Sequence, residues 1–225
     1  GPSVDAAPDS LSLFPDEHVS SKTIAEAVLR YVEAWSQGDI LSRAVDDLIH
    51  RRKPRVKGHK KGPLVSDEAD ILSESIDVIS RMNRTVLCIQ GPPGTGKTYT
   101  AAHAILQLLQ DNKKVAVTAN SHKAILNVLH AVHQAMQEAD VDFPLVKVRG
   151  NDDDPLIQSG VIQYVPESNQ AVNALGGGPL VMGGTAWVFC RPELQGEFDY
   201  LFVDEAGQFS LANVVATGLS ADNIV

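Results

Sequence analysis

Residues 91–98 read GPPGTGKT, and this octapeptide decides how the rest of the chain is read. It fits G-x-x-x-x-G-K-[ST] at every fixed position, the pattern of a phosphate-cradling loop between a strand and a helix. Gly91, Gly94 and Gly96 allow a sharp turn that brings backbone N–H groups against phosphate oxygens, and Pro92, Pro93 and Thr95 complete the loop. A helix opening at Lys97 adds its free N–H groups and its positive dipole end. Lys97 is placed to reach the β- and γ-phosphates, the Thr98 hydroxyl to coordinate Mg²⁺, and Tyr99 follows in the first turn.

The context supports the motif on both sides. Upstream, TVLCIQ (85–90) is a continuous apolar run of strand length, and downstream 97–110 has helical spacing. Further apolar runs at 114–119, 145–149, 179–184, 198–205 and 223–225 alternate with helical stretches at 66–82, 97–110 and 121–137. Continuous rather than alternating apolar strands separated by helices imply an α/β fold with a parallel sheet covered on both faces. The stretch 150–178, with NDDDP and GGG, reads as loop.

The second half of the site is YLFVDEAGQ (200–208). Its apolar run ends in two carboxylates at the C-terminal edge of a strand, where ligands sit in open α/β sheets. Asp204 would hold Mg²⁺ and Glu205 would orient and deprotonate the attacking water.

Ahead of residue 64 lie two helical stretches, 20–36 and 39–52, and the basic run RRKPRVKGHKKGP at 51–63, read as a solvated linker or a nucleic-acid contact. The expected division is therefore a helical segment with linker, 1–63, and a nucleotide-binding domain, 64–225. The net charge of −9 sits on the second part: residues 62–225 hold nine Lys or Arg against nineteen acids, whereas 1–61 hold ten against nine. This argues against a broad electrostatic footprint for nucleic acid. No run approaches the roughly 18 apolar residues of a membrane span. Two cysteines, Cys88 and Cys190, lie in apolar runs and read as buried free thiols of a cytoplasmic protein; their number excludes a cysteine-rich metal or iron–sulfur site. His130 and His133 read as ordinary surface or packing residues, Asp152–Asp154 as a capped turn, and Trp187 as core.

GPPGTGKT, VAVTANSHKAILNVL, GGTAW and FVDEAGQ, in that order, resemble the first RecA-like domain of superfamily 1 helicases. The likeness is nearest to the superfamily 1B helicase half of bacterial proteins that carry a RecB-like nuclease, and it covers about residues 40–225. An AAA+ remodelling ATPase would share the loop alone, and its motifs usually lie closer than the 107 positions between Lys97 and Asp204. A nucleotide-gated binding module without hydrolysis is the other alternative. The resemblance implies ATP and Mg²⁺ as cofactors and single-stranded nucleic acid, DNA before RNA, as partner. It implies that Thr118, Asn120, Ser121 and His122 contact the strand backbone, with Gly184 and Thr185 as a further contact. It implies that Gln208 senses the γ-phosphate beside the catalytic Lys97 and Glu205. Relatives read adenine with Leu-Asn-x-x-Gln, but 65–80 contains no glutamine, so ATP is assigned by likeness. The chain ends where the third helicase motif would begin. A second RecA-like domain with its arginine finger, and an upstream nuclease domain, are expected in the parent protein, and this piece is expected to bind nucleotide with negligible hydrolysis.

Overall fold

Valine, isoleucine and leucine at successive positions, rather than at alternate ones, can be buried only if both faces of a sheet are covered. The computed structural model, which describes residues 20–66, 70–92 and 94–225, has that arrangement. Its helices are α1 (Lys22–Ser36), α2 (Arg43–Ile49), α3 (Ile71–Ser80), α4 (Lys97–Gln110), α5 (His122–Glu138), α6 (Pro155–Gln158), α7 (Ala186–Phe189) and α8 (Leu211–Gly218). Its strands are β1 (Lys114–Thr118), β2 (Leu145–Val148), β3 (Ile162–Val165), β4 (Leu180–Gly183), β5 (Phe198–Val203) and β6 (Ala221–Ile224). All pairings are parallel, in the order β3-β2-β4-β1-β5-β6. Val115 and Val117 of β1 face α3, α4 and α5, while Ala116 between them faces α7 and the 168–175 segment.

Two parts of the sheet depart from the expectation. Residues 162–165, inside the stretch read as loop, form the edge strand β3, whose Ile162 and Val165 are buried and whose Gln163 is exposed. That half-polar alternation is a weak strand signal beside the GGG and DDD runs. Residues 85–90, in contrast, are not a regular strand. Thr85 and Leu87 straddle Ile224, which donates to the Thr85 carbonyl (3.0 Å) and accepts from the Leu87 amide (2.8 Å). This makes a single parallel bridge, Val86 to Ile224. Val225 is committed to β5, accepting from Val203 and donating to Leu201. Cys88 is accordingly exposed, against the expectation of burial, while Cys190 is fully buried.

Helices on the two sides of residue 63 pack together. Ile24, Ala27 and Tyr31 of α1 and Ala44 and Val45 of α2 share a core with Val86, Val215, Ala216, Leu219 and Ile224. The basic run is not a free linker either. Asp47, fully buried, accepts from Arg55 (2.8 Å) and from the Thr85 hydroxyl (2.6 Å), and Arg52 pairs with the buried Asp46. Arg55 also donates to the carbonyls of Asn83 and Arg84, and the Thr85 amide donates to the Asn223 side chain (3.2 Å). A buried carboxylate needs such partners, since an unpaired one would be strongly disfavoured. The network ties α2, the approach to the phosphate loop and β6 together.

Breaking a buried pair by removing one partner typically costs about 3–5 kcal/mol, whereas an exposed pair contributes about 1 or less. Asp47→Ala is therefore expected to lower the urea midpoint strongly, and Asp77→Ala, which removes the exposed Asp77–Arg81 pair, to leave it nearly unchanged. Equal effects of the two would remove the network from its structural role.

Candidate nucleotide and strand-contact site

Gly94 and Gly96 have φ of +80° and +81°, a region that side chains avoid, and Gly96 is the N-cap of α4. A Cβ on Gly91 would stand 2.6 Å from the Thr95 hydroxyl. The spacing of the three glycines thus follows from the turn itself. Whereas Ser42, Asp70, Ser121 and Ser210 cap α2, α3, α5 and α8 with side-chain oxygens, Gly96 offers none, leaving the first N–H groups of α4 for an anion. Lys97 donates to the carbonyls of Gly91 (2.7 Å) and Pro92 (3.0 Å), so its ammonium lies across the loop, and the Thr95 hydroxyl donates to Pro92 (2.8 Å). Thr98 is half-buried; Tyr99 is exposed, its ring 4.1 Å from that of His103. Pro93 lies outside the described residues.

The carboxylates come from the end of β5. The Asp204 amide donates to the Thr118 carbonyl (2.9 Å), extending the β1–β5 ladder by one residue. Glu205 then turns off the sheet with φ +53°. A left-handed residue other than glycine is typically disfavoured by about 1–3 kcal/mol, a cost common at functional turns. The Gln208 amide side chain donates to the Glu205 carboxylate (3.1 Å), and its backbone N–H to the Glu205 carbonyl (2.8 Å). One strand, β6, separates β5 from the segment leading into the loop, so the two edges are about 10 Å apart at sheet spacing. Lys97 and Asp204 border one cavity of about 490 Å³, whose other walls are mostly apolar, among them Leu87, Val117, Phe202 and Phe209.

Among the described residues no cluster of three or more His, Cys, Asp or Glu is placed to cage a cation. Mg²⁺ in a nucleotide site needs no such cage, because phosphates and water supply most of its ligands. The Thr98 hydroxyl and Asp204 carboxylate at this edge fit that mode.

The residues read as strand contacts divide by burial. Asn120 and Ser121 are exposed and His122 and Thr185 half-buried, but Thr118 and Gly184 are buried. The Thr118 hydroxyl is within the sheet without a hydrogen-bond partner, and Gly184 packs where a Cβ would meet Val188 at 2.8 Å. Thr118 and Gly184 thus lie in the interior, and Asn120 and Ser121 on the surface. The Ser121 hydroxyl caps α5, accepting from Ala124 (3.0 Å), and Thr185 precedes α7. Asn120 is engaged: its amide donates to the Gln208 carbonyl (2.8 Å), joining the α5 turn to the carboxylate turn.

Two further side chains were not anticipated. Lys147 is fully buried and meets His122 (2.9 Å), although a lysine inside the apolar run LVKVR was a visible irregularity. His130, read as an ordinary surface or packing residue, meets both carboxylate oxygens of Asp154 (2.9 Å), which also accepts from Leu156 and caps α6, as the reading of 152–154 as a capped turn requires. Trp187, read as core, is half-buried, its indole N–H donating to the Ser20 carbonyl (2.8 Å). No described helix is long and apolar enough to cross a membrane.

Residues 70–172 match the profile of a family described as an AAA domain, AAA_11. The DNA replication ATP-dependent helicase/nuclease DNA2 of Saccharomyces cerevisiae is 26% identical over 187 residues, covering 73% of this chain and 11% of that protein. Among solved structures, a nuclease-deletion mutant of the Type ISP restriction-modification enzyme LlaGI, in complex with a DNA substrate mimic, superposes with a TM-score of 0.51 at 15% identity. That match covers 71% of this chain and 17% of the LlaGI chain, and it establishes the fold. The chain therefore spans about a tenth of its curated relative. The fold is that of a P-loop NTPase, and the domain is helicase-like.

A buried hydroxyl without a partner is disfavoured by about 1–3 kcal/mol. Thr118→Val is thus expected to raise the melting temperature slightly without changing oligonucleotide affinity. A loss of affinity would restore Thr118 as a contact.

Proposed function

We propose that this helicase-like P-loop domain is the ATP- and Mg²⁺-binding half of a motor that moves along single-stranded nucleic acid, DNA in preference to RNA. The observation that carries the reading is the hydrogen bond from the Asn120 amide to the Gln208 carbonyl, because it joins the turn suited to a strand backbone to the turn that bears the carboxylates. A motor must transmit between those two places. A phosphate loop serving nucleotide binding alone has no need of it.

Mg²⁺ supplies charge neutralisation of the phosphates and would be held by Thr98 and Asp204. The loop N–H groups and Lys97 bind the triphosphate. Glu205 orients the attacking water and takes its proton, and Gln208, donating to one Glu205 oxygen, holds that carboxylate in place. Asn120, Ser121, His122 and Thr185 present small polar groups and helix N–H donors to backbone phosphates, contacts that position a strand without reading its sequence. Superfamily 1B character, 5′-to-3′ movement, a second RecA-like domain with an arginine finger and an upstream nuclease domain belong to this reading as properties of the parent protein. The 225-residue chain alone would turn over ATP near background, an arginine finger being worth about 10³–10⁵ in rate.

Fluorescent-nucleotide titration with Mg²⁺ tests the first half. Lys97→Ala is expected to weaken binding at least about tenfold, since it removes charge-assisted hydrogen bonds; unchanged affinity would move the nucleotide elsewhere. The second half is tested by repeating the titration with saturating oligo-dT. Coupling between two ligands is reciprocal, so nucleotide should change oligonucleotide affinity by the factor that oligonucleotide changes nucleotide affinity. Asn120→Ala should bring that factor towards one. Coupling of full size in Asn120→Ala would reject the link as the transmitting contact.

A further inference from the structure

A lysine in the middle of an apolar strand would ordinarily lie at the surface, yet Lys147 at the end of β2 is fully buried. Its ammonium has three N–H donors and finds three acceptors: the carbonyls of Val148 (3.1 Å) and Arg149 (2.5 Å) and Nδ1 of His122 (2.9 Å). The chain bends to make this possible. Arg149 and Gly150 both have positive φ, +60° and +87°, and the Tyr164 hydroxyl donates to the Gly150 carbonyl (2.6 Å), fixing the turn to β3. Gly150 packs directly against the imidazole: a Cβ there would stand 2.6 Å from Cγ and 2.7 Å from Nδ1 of His122.

An ammonium has no lone pair to offer, so the imidazole nitrogen facing it must be the acceptor. The single ring proton is then on Nε2. We infer that Lys147 is a positioning residue that holds His122 as the neutral Nε2–H tautomer, so that the ring presents one directed N–H donor to a backbone phosphate at the start of α5. The inference rests on the nucleic-acid reading for its ligand, though not for the tautomer.

The surroundings agree. Burial, then the charges of Lys147 and Arg149, lower the His122 pKa to about 4, and burial lowers that of Lys147 to about 8, which leaves the ammonium predominantly charged at neutral pH. The charged groups facing the ring are Lys147 from β2 and Arg149 from the turn after it, with exposed Lys123 next along α5. No carboxylate among the described residues is hydrogen-bonded to it. A histidine free to charge would attract phosphate increasingly as pH falls through about 6.5, its ordinary value. Held neutral, it gives a contact set by direction and independent of pH above about 5. By the same linkage, folding stability is lost as pH falls from about 6.5 towards about 4, where the unfolded chain binds the proton and the folded chain does not.

The test is the imidazole ¹H–¹⁵N long-range correlation spectrum of the intact chain between pH 5 and 8. The expected pattern is a protonated Nε2 and a bare Nδ1 at His122, without titration down to pH 5; Nδ1 protonation, or a midpoint near 6.5, would overturn the proposal. In Lys147→Met the ring, freed of the ammonium but still partly buried, should titrate at a higher pH than in the wild type, and affinity for labelled oligo-dT should rise as pH falls to 5.5, by up to about fivefold as one added charge near a phosphate allows, while the wild type stays flat. A ring whose midpoint and tautomer are both unchanged without Lys147 also overturns it. If Lys147→Met fails to fold, the wild-type spectrum decides alone. A wild type with the expected tautomer that binds no oligo-dT rejects the nucleic-acid reading, and with it the ligand assigned here, while the lock itself stands.

Discussion

Ile224 accepts from Leu87 and donates to Thr85, and these two backbone bonds join the segment before the phosphate loop to the sheet. On its other side the same strand pairs with β5, whose end bears Asp204 and Glu205. The geometry of the nucleotide site therefore depends on a short ladder: β5, β6, and the residues just before Gly91. Backbone hydrogen bonds set that spacing to within tenths of an ångström, which no side-chain contact alone would do. Asp47 reinforces it from outside the ladder. By accepting from Thr85 and Arg55 it anchors the approach to the loop against α2.

Polar groups inside the fold are treated in two ways. Asp47, Asn223 and Lys147 are satisfied by backbone and side-chain partners, and each of them orders something at the functional edge of the sheet. The Thr118 hydroxyl, like that of Ser168, is buried and meets no partner. The β-branched side chain of Thr118 suits the end of β1, and its carbonyl, not its hydroxyl, does the structural work by receiving the Asp204 amide. At the rim, two residues further along, Asn120 and Ser121 emerge into solvent. The step from interior to rim falls between positions 119 and 120.

The C-terminal ends of β1, β4 and β5 and the loop before α4 carry all of the proposed chemistry, in keeping with the position of ligands in open parallel sheets. The Asn120–Gln208 bond gives this edge an internal connection that a list of motifs does not contain. It spans 88 positions and joins two turns whose own conformations are fixed by other bonds, Ser121 capping α5 and Gln208 holding Glu205.

GPPGTGKT, the apolar runs and the acidic pair after YLFV were sufficient, by themselves, for the α/β class, the parallel sheet and the phosphate loop. These are local properties: a glycine where φ is positive, a strand where both faces are apolar, a carboxylate where a strand stops. What the linear order could not decide was which side chains meet. That Asp47 lies under Thr85, that Lys147 meets His122, that Cys88 is exposed and Gly184 buried, and that α1 and α2 share a core with α8 and β6 all depend on contacts between positions far apart in the chain. So does the reduction of 85–90 from a strand to one bridge, since a strand exists only where a neighbour offers donors and acceptors in register. Burial and hydrogen-bond pairing are relations between segments, and only packing determines them.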